Sequence, residues 1–370
     1  MSESQAAFAI SLCDGIGPKT FYKLIKYFGS ADKIWENLNS FNYKNVGMGK
    51  SVFQKFESHK NSFDLPFYLN KLEKAKVVVV AITDVSYPDS LKKLEAPPIV
   101  LYCKGNLDLL NTASALGVVG ARKITSYGKE VTQKIVSELV AQDIVIVSGL
   151  AFGVDAVSHV TTLSEMGKTI AVLGCGVDCC TPLENQGVYE EILDKEGLIL
   201  SEYFLGQPPS VGSFPARNRI IAGLARGVLV TEAAEDSGSL ITAEESVKLG
   251  RPVFAVPGPI TSHMSKGTLK LLKQQAKLVS SSDDILEVLK IKGQNSNLPA
   301  GKAGVKIASQ KLKLNAEERR VVRLLESEPM TLDQISKNLK IPMVKLMVLV
   351  SGLEMRGTLI NTGSKINLII

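Results

Sequence analysis

From residue 116 onward, short continuous apolar runs recur between stretches where apolar residues return every three or four positions. The runs are Leu116-Gly-Val-Val119, Ile144-Val-Ile-Val147, Ile170-Ala-Val-Leu173, Leu198-Ile-Leu200, Val228-Leu-Val230 and Val253-Phe-Ala-Val256. Glycines and serines cluster after the runs, and helical spacings such as Val131, Ile135 and Leu139 follow. Continuous apolar strands separated by amphipathic helices predict a parallel sheet covered on both faces. The fold class is α/β, with a Rossmann-like, doubly wound, mainly parallel sheet over residues 73–290. In such sheets ligands bind at the carboxyl ends of the strands.

The flanks read differently. Residues 1–72 predict a small helical domain. The turn Gly15-Ile-Gly-Pro18 feeds a helix with Phe21, Leu24, Ile25 and Phe28 on one face. This resembles a helix-hairpin-helix (SAM-like) element, whose turn amides can hold a nucleic-acid phosphate. A second turn, Val46-Gly-Met-Gly49, shows no such clear helix after it. Two strands, 77–82 and 99–103, joined by a short helical connection, begin the main sheet. Residues 291–313 are rich in Gly, Asn, Ser and Lys without periodicity and predict a linker. Residues 314–370 predict helices over 317–325 and 333–339, the second capped by Thr331, then a third through Leu346, Leu349, Val350 and Leu353. With the glycine-marked tail around Gly357 and Gly363 as a wing, this predicts a winged helix.

Composition narrows the function. The 370 residues have 45% hydrophobic content and a mean hydropathy of +0.13, ample for a large core. No apolar run approaches the roughly 20 residues that span a bilayer. The N-terminal Met-Ser-Glu-Ser-Gln lacks a basic n-region, so a cytoplasmic protein without membrane partners is expected. The five cysteines, Cys13, Cys103, Cys175, Cys179 and Cys180, suit a reducing compartment and contain no paired C-x-x-C. With only His59, His159 and His263 besides, no metal site is expected. Of the net charge of +6, residues 290–370 hold fourteen Lys/Arg against six Asp/Glu. Polyanion binding by the near-neutral remainder must therefore rest on a local pocket.

The usual small ligands drop out. No G-x-G-x-x-G follows a strand and no G-x-x-x-x-G-K-[ST] occurs, so no dinucleotide or P-loop cofactor is expected. Candidate catalytic groups are Asp155, His159, Glu202, Glu232, Glu244 and Glu245. His159 sits one turn from Asp155, which could orient an imidazole; the plainer reading is a helix surface pair. A binding fold is indicated more than an enzyme. Arg122 and Lys123 follow one strand, and Arg217 and Arg219 flank Asn218 before another. Beside glycine turns these cations suit phosphate, although an ion pair with Glu202 or Glu232 is the structural alternative. Tyr127, Phe152 and Phe214 stand close enough to stack on bases or to pack in the core.

The motifs Tyr87-Pro-Asp-Ser-Leu91, Gly120-Ala-Arg-Lys-Ile-Thr-Ser-Tyr-Gly128, Ser148-Gly-Leu-Ala-Phe-Gly-Val-Asp-Ala156, Phe214-Pro-Ala-Arg-Asn-Arg-Ile-Ile-Ala-Gly223, Ser237-Gly-Ser-Leu-Ile-Thr-Ala243 and Gly250-Arg-Pro-Val-Phe-Ala-Val-Pro-Gly258 occur in order. Together they resemble the DNA-processing protein A (DprA/Smf) family. The resemblance implies a non-catalytic homodimer that binds single-stranded DNA, protects it in natural transformation and loads the RecA recombinase onto it. It implies a DNA site of Arg122, Lys123, Thr125, Gly149, Phe152, Gly153, Phe214, Arg217, Asn218, Arg219, Ser237 and Gly238. The resemblance also implies a lysine, carried by several relatives, where this chain has Ala216. The dimer surface is expected near residues 240–249 and 268–272, and the winged helix is expected to meet duplex DNA or protein. The rival reading is a nucleotide phosphoribohydrolase resembling the LOG proteins, with Glu244 or Glu245 as the acid. The turn at Ser237 lacks the double-glycine, Gly-Thr arrangement of that family.

Overall fold

Nine strands form the central sheet of the computed structural model, in the order β1-β2-β6-β5-β4-β3-β7-β8-β9. The structure describes residues 1–291, 315–325, 329–355, 358–361 and 365–368. The expected linker, from residue 292 onward, and the tail glycines Gly357 and Gly363 lie outside the described residues. The strands are β1 (Val78–Ala81), β2 (Val100–Gly105), β3 (Ala115–Val119), β4 (Val145–Ser148), β5 (Thr169–Leu173), β6 (Leu198–Ser201), β7 (Val228–Val230), β8 (Val253–Ala255) and β9 (Lys277–Leu278). From β6 across to β9 every pairing is parallel. The hairpin strands β1 and β2 extend one edge in antiparallel register, β2 against β6.

Every residue of β3 to β8 is buried, as parallel strands covered on both faces require. On β3, Leu116 and Val118 join Ile135 and Leu139 of one helix layer, while Val119 joins Ile220 and Ile221 of the other. Five helices, α1 (Glu3–Ser11), α2 (Pro18–Phe28), α3 (Ala31–Asn37), α4 (Lys50–Ser62) and α5 (Leu65–Lys74), precede the sheet. Within the sheet region come α6 (Asp89–Lys92), α7 (Ser126–Val140), α8 (Val154–Ser164), α9 (Gln186–Asp194), α10 (Ser213–Leu224), α11 (Ser239–Lys248), α12 (Lys266–Lys273) and α13 (Ser282–Leu289).

The winding places the site. From β3 the chain runs outward through β4, β5 and β6, then returns to lay β7, β8 and β9 on the other side of β3. The connections leaving β3 and β7 therefore diverge, which opens a crevice at their carboxyl ends.

The N-terminal helices share an apolar cluster with the sheet. Phe8 of α1 meets Tyr102 of β2 edge-on at 6.3 Å between ring centroids, and both belong with Leu173 and Ile199. One compact unit spans Met1–Gln294. The sequence reading saw no clear helix after Gly49, but α4 starts at the next residue. Its apolar stripe, Phe53 and Phe56, is continued by His59, which packs against Trp35 and bonds the carbonyl of Ala9 at 2.9 Å.

The second unit, Asn295–Ile370, contains α14 (Ala316–Leu325), α15 (Leu332–Leu339) and α16 (Met343–Met355), with the antiparallel pair β10 (Leu359–Asn361) and β11 (Ile366–Leu368). Thr331 caps α15 in a reciprocal box with Gln334. Val321, Ile335, Leu346, Val350, Leu353 and Ile366 form its core.

Candidate nucleic-acid interface

A cavity of about 920 Å³ lies in the crevice between the β3 and β7 connections. Residues after β3 (Gly120, Ala121, Arg122, Lys123), after β4 (Ala151, Asp155), along α10 (Phe214, Arg217, Asn218, Ile221) and after β7 (Asp236 to Ser239) line it. Phe214, Arg217, Asn218 and Ile221 stand three, four and seven positions apart, so one face of α10 forms a wall.

Arg122 and Lys123 are exposed at the mouth. The Arg122 guanidinium lies over the half-buried Phe214 ring, 5.3 Å from its centroid. That contact holds the cation in place while leaving its outer face free. Neither Arg122 nor Lys123 forms an ion pair among the described residues.

Arg217 behaves otherwise. It is only 4% exposed, and its Nη1 donates to the carbonyls of Gly149 and Val172. A Cβ on Gly149 would overlap that guanidinium, so glycine is needed where β4 ends. The Arg217 Nε donates to Asn218 Oδ1 at 3.1 Å, and Asn218 Nδ2 donates to the Gly238 carbonyl at 3.2 Å. One arginine thus ties the ends of β4 and β5 to α10, and Asn218 carries the tie to the turn before α11. Burial pulls the Arg217 pKa down while buried Asp155 opposes the shift. Burial likewise pushes Asp155 up, against the pull of Arg217.

The turns after β3 and β4 already hold carboxylates of the protein. Glu232, 3% exposed, accepts from the Thr125 amide at 2.8 Å and from its hydroxyl at 2.6 Å. Thr125 in turn caps α7 by accepting from Gly128 at 3.0 Å. At the next turn Asp155 accepts from the amides of Gly149 at 3.1 Å and Ala151 at 3.4 Å. Gly153, with φ of 75°, packs against the Ala121 carbonyl, where a Cβ would not fit. Thr125, Gly149 and Gly153 therefore shape the crevice from behind. The turn before α11 holds no carboxylate: Gly238 has nothing within 4 Å of a Cβ position, and the Ser239 amide donates to the Ser237 hydroxyl at 3.4 Å.

Arg219 is not brought to the pocket. It stands two positions from Arg217, on the other side of α10, and pairs with Glu202 at side-chain exposures of 16% and 9%. This is the ion-pair alternative that the sequence left open. Phe152 is 44% exposed but outside the lining, and Tyr127 donates its hydroxyl to the Pro257 carbonyl at 2.6 Å. Ala216 is half-buried and also outside the lining. Asp155 and His159 are both buried, which corrects the surface-pair reading. The Thr169 hydroxyl donates to Ile146 O at 2.7 Å and accepts from His159 Nδ1 at 2.8 Å. Burial, with Arg217 nearby, pushes the His159 pKa down to about 3.

Sequence reasoning missed Asp236, His263 and Met264 as lining residues. Asp236 adjoins the Ser237 motif and was within reach. His263 and Met264 arrive on the loop after β8, fixed by Ala233 donating to the Met264 carbonyl at 3.0 Å, and no local pattern announces that. Among the described residues no group of His, Cys, Asp and Glu could hold a metal ion, and no helix is long and apolar enough to cross a membrane.

Known proteins resemble this chain in sequence and fold. Protein Smf of Synechocystis is 37% identical over 294 residues, 78% of this chain and 74% of the relative. The DNA processing protein DprA of Bacillus subtilis is 40% identical over 225 residues, 61% of this chain and 75% of the relative. The solved structure of DNA processing protein A from Streptococcus pneumoniae superposes with a TM-score of 0.68 at 36% identity, covering 78% of this chain and 98% of that one. The Helicobacter pylori structure does so with a TM-score of 0.52 at 34% identity, covering 57% and 95%. The model of the family described as DNA recombination-mediator protein A matches residues 78–290, the whole sheet with its crevice, and the chain belongs to that family.

Proposed function

We propose that this chain binds single-stranded DNA in the crevice between the β3 and β7 connections and hands it to the RecA recombinase, without catalysing a reaction on it. The observation that carries the reading is Arg122, exposed and stacked over Phe214 at the mouth of a cavity of about 920 Å³. The strand's phosphates run along Arg122 and Lys123, and a base stacks on the guanidinium plane. Arg217 and Asn218 hold the walls at their working distance. The Helicobacter pylori relative, whose structure concerns a single-stranded DNA binding mode, supports the choice of ligand. The family's description as a recombination mediator supports the recombinase as partner, in DNA uptake and natural transformation.

A non-catalytic role fits the carboxylates. Asp155 and Glu232 are bound to backbone amides and to Thr125. Glu244 and Glu245 lie outside the cavity lining, and Glu245 pairs with Lys248 at 2.6 Å. The phosphoribohydrolase alternative assigns the acid to Glu244 or Glu245, and neither lines the cavity. The working form is a homodimer, with α11 and α12 as the surface. In the second unit we read a winged helix that contacts protein: Val344, Met347 and Val348 are exposed on α16, and its Lys345 is paired with Glu317 at 2.6 Å.

The test is gel-shift titration of the full chain with single- and double-stranded DNA, wild type against Arg122→Ala. Tighter binding to single strands, weakened at least tenfold by the substitution, is the expected result. Equal affinity of the two proteins would remove Arg122 from the site, and absence of any binding would overturn the reading.

A further inference from the structure

The turn leaving β7 brings an unpaired carboxylate into this same cavity. Asp236 is exposed, lines the cavity with Arg122 and Lys123, and forms no ion pair among the described residues. Asp155 and Glu232 have structural work that explains them; Asp236 has none. A free acid in a polyanion site weakens binding unless it gains something on another part of the ligand.

Geometry limits what that part can be. The cations stand on the β3 connection, whereas Asp236 stands on the β7 connection beside Ser237 and Ser239, whose hydroxyls bond each other at 2.8 Å. Phosphates drawn to Arg122 and Lys123 leave a base edge to meet the β7 side. An ionised carboxylate can only accept hydrogen bonds. Cytosine and adenine present exocyclic amino donors, and guanine presents one in its minor-groove edge. Thymine has no exocyclic amino group, and its one ring donor, N3–H, lies between two carbonyl oxygens that would oppose the carboxylate.

We propose that Asp236 is a specificity-determining residue that makes the crevice favour bases carrying an exocyclic amino group and disfavour thymine. The inference rests on the single-stranded DNA reading above. Asp236 acts by touching the base, and the neighbouring Gly238, open to solvent, lets the base approach the turn.

The experiment is fluorescence anisotropy with the full chain, using oligo(dC) and oligo(dT) of equal length at one salt concentration and neutral pH. Wild type is expected to bind oligo(dC) about three- to tenfold more tightly, the effect of one added hydrogen bond and one removed repulsion. Asp236→Asn, which can donate as well as accept, should close the gap chiefly by improving oligo(dT) binding. Equal wild-type affinities would overturn the inference, as would a gap that survives in Asp236→Asn. A variant that binds both strands better by the same factor would show plain repulsion and also overturn it. Those three results leave the DNA reading standing; failure of wild type to bind either strand would overturn that reading, and the inference with it.

Discussion

The side chain of Arg217 closes over the carbonyl of Gly149, 68 positions away in sequence, and takes the Val172 carbonyl with the same nitrogen. A residue expected to grip DNA is thus first a tie between strand ends. Removing it leaves those carbonyls and buried Asp155 without their cation. Arg217→Ala should lower unfolding free energy by about 3 kcal/mol, the scale of breaking a buried charged contact from one side. Arg122→Ala should stay within about 0.5 kcal/mol of wild type. Urea denaturation of the two variants separates a structural arginine from a binding one.

Salt dependence separates them again. Each phosphate contact on a single strand contributes about 0.7 to the slope of log affinity against log salt. Arg122→Ala should lose about that much slope along with affinity. Arg219→Met should keep the wild-type slope, because Arg219 faces Glu202 and not the crevice. An unchanged slope in Arg122→Ala would mean that its guanidinium meets no phosphate.

Glycines along the crevice should respond unequally. A Cβ at Gly149 would overlap the Arg217 guanidinium, and Gly149→Ala should lose about 1–3 kcal/mol as an overpacked site does. Gly238 has a φ of −61° and open space around it, so Gly238→Ala should fold as well as wild type. Thermal melts of the two variants give the comparison.

The architecture was legible because parallel strands buried on both faces must be continuous apolar runs, and the runs at 116–119, 144–147 and 170–173 are nearly unbroken. The site was legible only to the level of its turns. Phe214-Pro-Ala-Arg-Asn-Arg219 announces cations beside a strand end, but which arginine faces the crevice depends on helix phase. That phase is set by Ile220 and Ile221 packing under the sheet, a tertiary fact. The carboxylates Glu232 and Asp155 were hidden for a related reason. A helix N-terminus attracts an anion whether it comes from a ligand or from the chain itself, and only the fold decides which arrives.

The pair Glu202–Arg219 offers a test of that same distinction. Burial pushes Glu202 up while Arg219 opposes the shift, and Glu202 Oε1 and Arg219 Nη1 lack hydrogen-bond partners. Arg219→Met alone should destabilise the protein by about 3 kcal/mol, since it strands a buried carboxylate. Adding Glu202→Leu should restore most of the loss, because two apolar groups need no compensation. A double variant as unstable as the single one would show that the pair holds α10 by more than its charges.

His159 should leave a signature in the acid limb of stability. In the unfolded chain an imidazole takes up its proton near pH 6.5, whereas burial holds this one neutral in the native state down to about 3. The unfolded state therefore binds the extra proton between those values, and stability present above pH 6.5 falls as pH drops. At pH 5 the loss amounts to about 2 kcal/mol. Asp155 and Glu202, raised by burial, act with the opposite sign, since native carboxyls that hold their protons gain stability as pH falls. The informative quantity is thus the difference between wild type and His159→Asn, which keeps a donor for Thr169 and removes the titration. The difference in unfolding free energy from urea denaturation should shift against wild type by about 2 kcal/mol between pH 7.5 and pH 5. Parallel curves would mean that His159 is protonated in the folded protein.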